Sequence, residues 1–287
     1  MHPTHVRQLA ALIGHARAYP RGVTRTDLID LLDLGRNAVD RRLDAALAVG
    51  LLTHSGKADS TGGRAPENWA FNPRAGSVLA LQLSYRHSVA ALLDLTGTVI
   101  DQGTLPVGFL AGPPGALNAA LPALKELRER ADAERLPSPW GLGVSIALPV
   151  DFRDGSILSS HTHDVEVAAW PGFALRQQLT RALGLPVWVD DEVNALATSA
   201  AGRTGAPKDI LVVRLSVGIG LGLVVDSHVH RGSGGGSAEL SHIPVAVVGL
   251  GHLVTDRLLA PENLIRWLPA GSSTAAPEML TLRRQDA

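Results

Sequence analysis

Cysteine is absent from all 287 residues. Disulfides and any zinc site with thiolate ligands are thereby excluded, and a reducing compartment suits the chain. A long unbroken apolar run is missing as well. The longest stretch, "ILVVRLSVGIGLGLVV", is interrupted by Arg214 and three glycines, which makes it too short and too broken to span a bilayer. The opening "MHPTHVRQLAALIGHARAYPRG" lacks the apolar centre of a signal peptide. A soluble, cytoplasmic protein with no membrane partner is expected. A strong net charge is the third absence: the formal total is -1, so nothing global points to nucleic acid.

The charge is uneven, however. Residues 1–75 hold ten Arg/Lys against seven Asp/Glu, or +3, and residues 76–287 hold sixteen against twenty, or -4. A basic N-terminal segment on an acidic body hints at a polyanion-binding module joined to something else. With 45% hydrophobic residues the chain can bury a substantial core, divided over two or three domains or subdomains.

"VRQLAALIGHA" spaces Val6, Leu9, Leu12 and Ile13 along one helical face. A second helix, "TRTDLIDLL", has Thr24 at the N-cap with Asp27 three residues on, and an apolar side of Leu28, Leu31 and Leu32. A break at Gly35 leads to a third helix with Val39, Leu43, Ala46 and Leu47 inward and Gly50 as its C′ stop. Two short helices joined by a tight turn, the second opening with Arg36-Asn37, form the helix-turn-helix pattern, whose second helix enters the major groove by its N-terminal end. Arg36 and Asn37 suit guanine and adenine edges, and Arg41 and Arg42 suit phosphates. Arg25 and Thr26, at the start of the second helix, join this DNA-facing set. Then "DSTGGRAPENWAFNP" reads as a β-wing with Gly62 and Gly63 in its turn and Arg64 at its tip, where a phosphate or narrow minor groove is in reach. The competing reading is a small protein-interaction domain with a solvated basic face. Asp40 and Asp44 on the recognition helix count against the DNA reading wherever they face the groove.

Composition shifts at "NPRAGS". Three strands follow over "VLALQLS", "HSVAALLDL" and "GTVIDQGTLPV", then a helix that Pro122 must kink or restart. "WGLGVSIALPV" is a buried strand, and "PGFALRQQLTRALG" a helix with Pro171 at its start. "LPVWVD" (strand) opens a second half, which "EVNALATSAAG" (helix) and "DILVVRLS", "GIGLGLVVD" and "SHVHRG" (strands) complete, giving a duplicated α/β plan with a cleft between two halves.

With these segments in view, the body resembles the ROK family (repressors, open-reading-frame proteins and sugar kinases). "VDDEVNALA", "LSVGIGLGLVVDSHVHRGSGGGSAELSHIPV" and "GVSIALPVDFRDGSI" are similar to ROK segments. Together with "STGGRAPENW" the arrangement resembles the ROK transcriptional repressors from about residue 5 to about residue 250. The resemblance implies an α/β protein: an N-terminal winged helix-turn-helix, residues 1–75, followed by a duplicated actin-like ATPase/sugar kinase (ribonuclease H-like) fold over residues 76–270. Residues 271–287 are expected to be a disordered tail. It also implies a shortened C-terminus, since the likeness fades after Pro244.

Departures from the family pattern bear on mechanism. The first phosphate turn of a ROK kinase, Asp-x-Gly-x-Thr, is replaced by "QLSYR", with Gln82, Ser84 and Arg86. The second, Gly-Thr-Gly-Ile-Gly, is "SVGIG", in which Ser216 and Val217 replace Gly and Thr while Gly218, Gly220 and Gly222 remain. A glycine-rich hairpin within a sheet is an equal reading of those glycines. The family's Asn-Asp-x-Asn reads Asp191-Glu192-Val193-Asn194, so the general-base position holds a glutamate one methylene longer. Misplacing a base by about 1 Å costs about a hundredfold in rate. The run therefore reads as a binding remnant, or simply as a helix N-terminus whose acids suit its dipole.

"AELSH" places Glu239 and His242 where the family has sugar-hydroxyl partners. The family's structural zinc, held by that histidine and three cysteines, cannot form without cysteine. "HTH" at 161–163 reads as a loop or strand edge, and "RGSGGGSA" as either a loop closing over a ligand or a flexible connector.

The combined expectation is a DNA-binding regulator with no catalytic residue, no metal and no cofactor. Its partners would be a double-stranded operator and a second copy of itself. A sugar or sugar derivative would bind through Asp191, Glu192, Asn194, Glu239 and His242, unless the body only dimerises. The alternative is an ATP-dependent sugar kinase with an accessory DNA-binding domain.

Overall fold

The computed structural model describes residues 3–57, 65–158, 167–203, 205–215, 219–237, 244–247 and 251–254. Helix α1 (Pro3–Ala18) leads into a two-residue strand β1 (Val23–Thr24) and helix α2 (Arg25–Leu32). Thr24 and Asp27 close a complete capping box, in which the Asp27 amide donates to Thr24 Oγ1 and the Thr24 amide donates to Asp27 Oδ2 at 2.8 Å. Helix α3 (Arg36–Ala48) ends as its sequence dictates. Gly50, at φ +72, takes the left-handed conformation and donates to Leu47 O, while Leu51 donates to Ala46 O at 2.9 Å. This is a Schellman stop, which a residue with a Cβ would strain. Strands β2 (Leu52–Lys57) and β3 (Glu67–Phe71) pair antiparallel, and β1 joins β3 on its other side, giving the order β1-β3-β2.

The core of this module is Leu12, Ala16, Val23, Leu28, Val39, Leu43, Ala46, Leu52 and Trp69. Each fully buried Leu there contributes about 1.5–3 kcal/mol. Two expected core positions lie outside it. Val6 is 48% exposed and Leu31 39% exposed. Successive residues turn about 100° on a helix, so each of these sits about a quarter-turn from the buried stripe. Ile29, on the opposite side of the helix from Leu31, packs against the core together with Leu28 and Leu32.

Five further strands form one sheet: β4 (Ser77–Leu83), β5 (Ser88–Asp94), β6 (Val99–Leu105), β7 (Leu142–Ile146) and β10 (Val187–Asp191), in the order β10-β7-β4-β5-β6. Strand β10 runs parallel to β7, with Val189 opposite Val144. The strand "LPVWVD", expected to open the second half, therefore closes the first sheet, because its hydrogen bonds go to β7. Helix α4 (Gly112–Ala133) passes through Pro122 as a single element. Both Pro122 and Asn118, whose carbonyl lacks a donor, are exposed, so water can satisfy that carbonyl. The buried stripe Ala116, Ala120, Leu124, Leu127 and Ala131 holds the helix on either side of it.

A two-stranded pair, β8 (Val150–Asp151) with β9 (Ser156–Ile157), precedes helix α5 (Leu175–Leu183). That helix begins four residues later than Pro171. Gly172 donates to Ile157 O and Ile157 donates to Phe173 O, at 2.8 and 3.1 Å. The backbone after Pro171 is thus committed to β9 and cannot start the helix. Helix α6 (Glu192–Ala201) then leads to β11 (Ile210–Leu215), β12 (Ile219–Val225) and β13 (His228–Val229), an antiparallel sheet in chain order, and β14 (Pro244–Val247) pairs with β15 (Gly251–Val254).

By packing, the chain separates into two units. One is Met1–Leu79 with Ala91–Gln102 and Glu126–Trp140; the other is Ala80–Ala90 with Gly103–Lys125 and Gly141–Ala287. Among the described residues no helix is long and apolar enough to cross a membrane.

Candidate nucleic-acid interface and effector site

Arg36 and Asn37 occupy the first turn of α3, with Arg41 one turn later, and all three are exposed. Thr26 is exposed in the first turn of α2. Arg42 departs from its expected role as a phosphate contact. It is only 8% exposed, and its Nη1 donates to Ala38 O at 2.6 Å while Nη2 donates to Gln8 Oε1. The side chain ties α3 to α1, and its guanidinium is spent inside the protein. Arg64 lies outside the described residues, as do Gly62 and Gly63. Asp40 is accounted for by a contact that the sequence does not signal. Arg25 Nε donates to Asp40 Oδ1 at 2.5 Å, and the Arg25 guanidinium carbon lies 5.7 Å from the centre of the Trp69 ring. The two residues are fifteen positions apart, so no local spacing rule brings them together.

The three consecutive acids that span the end of β10 and the start of α6 have three different sets of partners. Asp190 Oδ2 accepts from Arg231 Nη2 at 2.6 Å and from Nε at 3.1 Å, and the Arg231 guanidinium lies 4.0 Å over the Phe152 ring. Asp191 is the N-cap of α6 and accepts from the amides of Val193 and Asn194 at 2.8 and 3.4 Å. This is the helix-terminus role that the acids' position allows. Glu192 is 6% exposed; Arg214 Nη1 donates to its Oε1, and its Oε2 is buried without a hydrogen-bond partner. Burial pushes the Arg214 guanidinium below its ordinary value, against the charge of Asp191. Asn194 is buried on the same turn of α6. Glu239 and His242 lie outside the described residues. Asp191, Glu192 and Asn194 are thus adjacent on one helix start, with two of the three side chains sequestered by the fold.

Gly220 and Gly222 on β12 have a packing reason. A Cβ on Gly220 would stand 2.3 Å from Val193 Cγ2, and one on Gly222 would stand 2.7 Å from Val193 O. Helix α6 therefore lies directly on the strand. Ser216, Val217 and Gly218 lie outside the described residues. In the "QLSYR" turn, Ser84 N donates to His87 O, and Ser84 O and Tyr85 O accept from Phe109 and Leu110 at 2.9 and 3.3 Å. Gln82 and Arg86 are exposed, and Arg86 lies 5.5 Å from the Tyr85 ring centre. No carboxylate stands on this turn.

The "RGSGGGS" segment folds back on itself. Ser237 N donates to Arg231 O at 3.2 Å, and a Cβ on Gly235 would stand 2.3 Å from Val150 O. Among the described residues no cluster of three or more His or carboxylate side chains is placed to hold a metal. His161, His163 and His242 lie outside them.

The family model described as "ROK family" matches residues 81–257. The xylose repressor of Caldicellulosiruptor bescii is 25% identical over 230 residues, covering 78% of this chain and 55% of that protein. The N-acetyl-D-glucosamine kinase of Photobacterium profundum is 38% identical over 103 residues, 34% of this chain and 32% of the kinase. Among solved structures, a ROK family transcriptional regulator, a homolog of the E. coli MLC protein, superposes with a TM-score of 0.69 at 18% identity, covering 92% of this chain and 67% of that one. The chain spans about half the length of the curated repressor it matches.

Proposed function

The chain belongs to the ROK family, and from that membership we propose that it is a DNA-binding transcriptional regulator, a cytoplasmic repressor without kinase activity. The observation that carries this reading is the exposed Arg36, Asn37 and Arg41 on α3, in a three-helix, three-strand module ahead of a ROK body. In this reading residues 1–75 are a winged helix-turn-helix, with α3 in the major groove and Arg64 on the wing. Residues 76–270 are the sugar-kinase-like body, and residues 271–287 a tail. Thr26 and Arg41 hold phosphates, and Arg36 and Asn37 meet base edges. A second copy completes a two-fold operator complex.

The repressor relatives named for xylose favour a sugar as effector. Asp191, Glu192, Asn194, Glu239 and His242 are its candidate partners. Against catalysis stand the carboxylate-free "QLSYR" turn and the pairing of Glu192 with Arg214, because phosphoryl transfer needs metal and phosphate ligands and an available base. The likeness to N-acetyl-D-glucosamine kinase favours a kinase as the second reading. ADP release above background with any sugar of a panel would establish it.

The test of the first reading is fluorescence anisotropy with DNA from the gene's own upstream region against scrambled DNA, across a salt series. A specific excess of about a thousandfold or more is expected of a regulator. Equal and steeply salt-dependent binding to both DNAs, with no sequence enriched in a genome-wide selection, would overturn it.

A further inference from the structure

Asp40 is the one acid in the middle of the DNA-facing stretch Arg36–Arg41. It lies four residues after Arg36 and three after Asn37, so all three share a helical face. A carboxylate there should weaken binding to any duplex. It is instead covered by Arg25, whose Nε approaches Asp40 Oδ1 at 2.5 Å, with both side chains a little over a third exposed. Arg25 is also fixed from behind. It is the first residue of α2, between Thr24 and Asp27 of the capping box, and its guanidinium lies 5.7 Å from the ring of the buried Trp69.

We infer that Arg25 and Asp40 act as one unit that reads a guanine, with Arg25 making the base contact and Asp40 positioning it. This rests on the DNA-binding reading above. With Nε committed to the carboxylate, the two terminal nitrogens, Nη1 and Nη2, are the pair that remains for a base edge. That pair matches guanine O6 and N7. A phosphate contact gains nothing from such buttressing, since an arginine meets phosphate oxygens in many orientations, and the nearby carboxylate would oppose it. A base contact gains a great deal, because the fork must be held to within a fraction of an ångström of its productive geometry. The carboxylate that weakens phosphate attraction is thus the element that supplies orientation.

The test is selection from a random-sequence duplex library with the full chain, its Asp40→Asn variant and its Arg25→Lys variant. Anisotropy on the selected duplex and its single-base changes then follows. The wild-type protein is expected to require guanine at one position of each half-site, by about five- to 150-fold over the other bases. Asp40→Asn should lose that preference to within about twofold while binding unselected duplex as tightly or more tightly, since an anion has been removed. Arg25→Lys keeps the charge but not the fork, and should lose preference at the same position.

A merely structural role for the pair would lower affinity for all duplexes alike, and thermal unfolding of both variants reports it. Retention of every base preference by Asp40→Asn, or loss at different positions in the two variants, overturns the proposal while leaving the regulator reading intact. Failure of the wild-type chain to select any sequence removes both.

Discussion

Glu192 carries a charge that the fold neutralises from within, through Arg214. Removing one partner of such a pair strands the other, and the cost of an uncompensated buried charge is about 3–5 kcal/mol. Arg214→Met is expected to lower the urea-derived stability by the lower part of that range, since Arg214 itself is 30% exposed. Glu192→Met combined with Arg214→Met should recover most of the loss, because a well-packed apolar pair replaces a buried ionic one at little cost. A double variant no more stable than Arg214→Met would show that the pair has a role beyond neutralisation. On the DNA side, Arg36→Ala should remove sequence-specific binding, whereas Arg41→Ala should weaken binding to all duplexes alike and flatten the salt slope; wild-type operator affinity in Arg36→Ala would contradict the assigned role. At this scale the sequence is legible where exposure follows helical phase, as for Arg36, Asn37 and Arg41. It is opaque where a side chain's partner lies far along the chain. Phase alone puts Arg42 inward, three residues after Val39 and four before Ala46, but not its partner Gln8, thirty-four residues away, and Arg25 turns to Asp40, fifteen away.

The contact of α6 with β12 fixes how near a helix can come to a strand, and two glycines set it. Gly220→Ala would place a methyl 2.3 Å from Val193 Cγ2. Overpacking of this kind costs about 1–3 kcal/mol, measurable as a lower urea midpoint, and Val193→Ala should relieve part of it. The same glycines read equally well as a phosphate loop or as hairpin packing in the sequence, because only the neighbouring helix distinguishes the two. Turn chemistry was legible: the Thr24 cap and the Gly50 stop both follow from residue type. The start of α5 and the place of β10 were not, since both depend on hydrogen bonds to distant strands.

The turn from Asp94 to Thr98 offers a test by pH. Burial raises the Asp94 carboxyl, but hydrogen bonds from Thr96, Thr98 and Gly97 outweigh it and hold the group below its ordinary 3.8. A carboxyl depressed in the folded state contributes stability above its unfolded value and loses it as pH falls through the folded value. Asp94→Asn should therefore be less stable than wild type at neutral pH, and the gap should narrow as the solution is acidified below about pH 4. A gap independent of pH would assign the loss to the turn's shape alone.

For the whole molecule, charge separates the two tasks. The first 75 residues carry +3 and the remainder -4, so in the proposed reading the N-terminal segment is the part whose net charge favours phosphate. In the proposed reading a second copy on a two-fold operator doubles the contacts that one module can make. Two copies related by a two-fold axis would bind half-sites about 34–36 Å apart, one helical turn or a multiple of it. Selected duplexes should accordingly be inverted repeats with that spacing. The protein should sediment as a dimer at the concentrations where it binds them, and splitting the repeat by half a helical turn should abolish tight binding while each half-site still binds weakly. If the selected duplexes carry one unrepeated site and the protein sediments as a monomer on them, the two-fold arrangement is wrong, and Arg36, Asn37 and the Arg25–Asp40 unit would have to supply specificity within a single half-site.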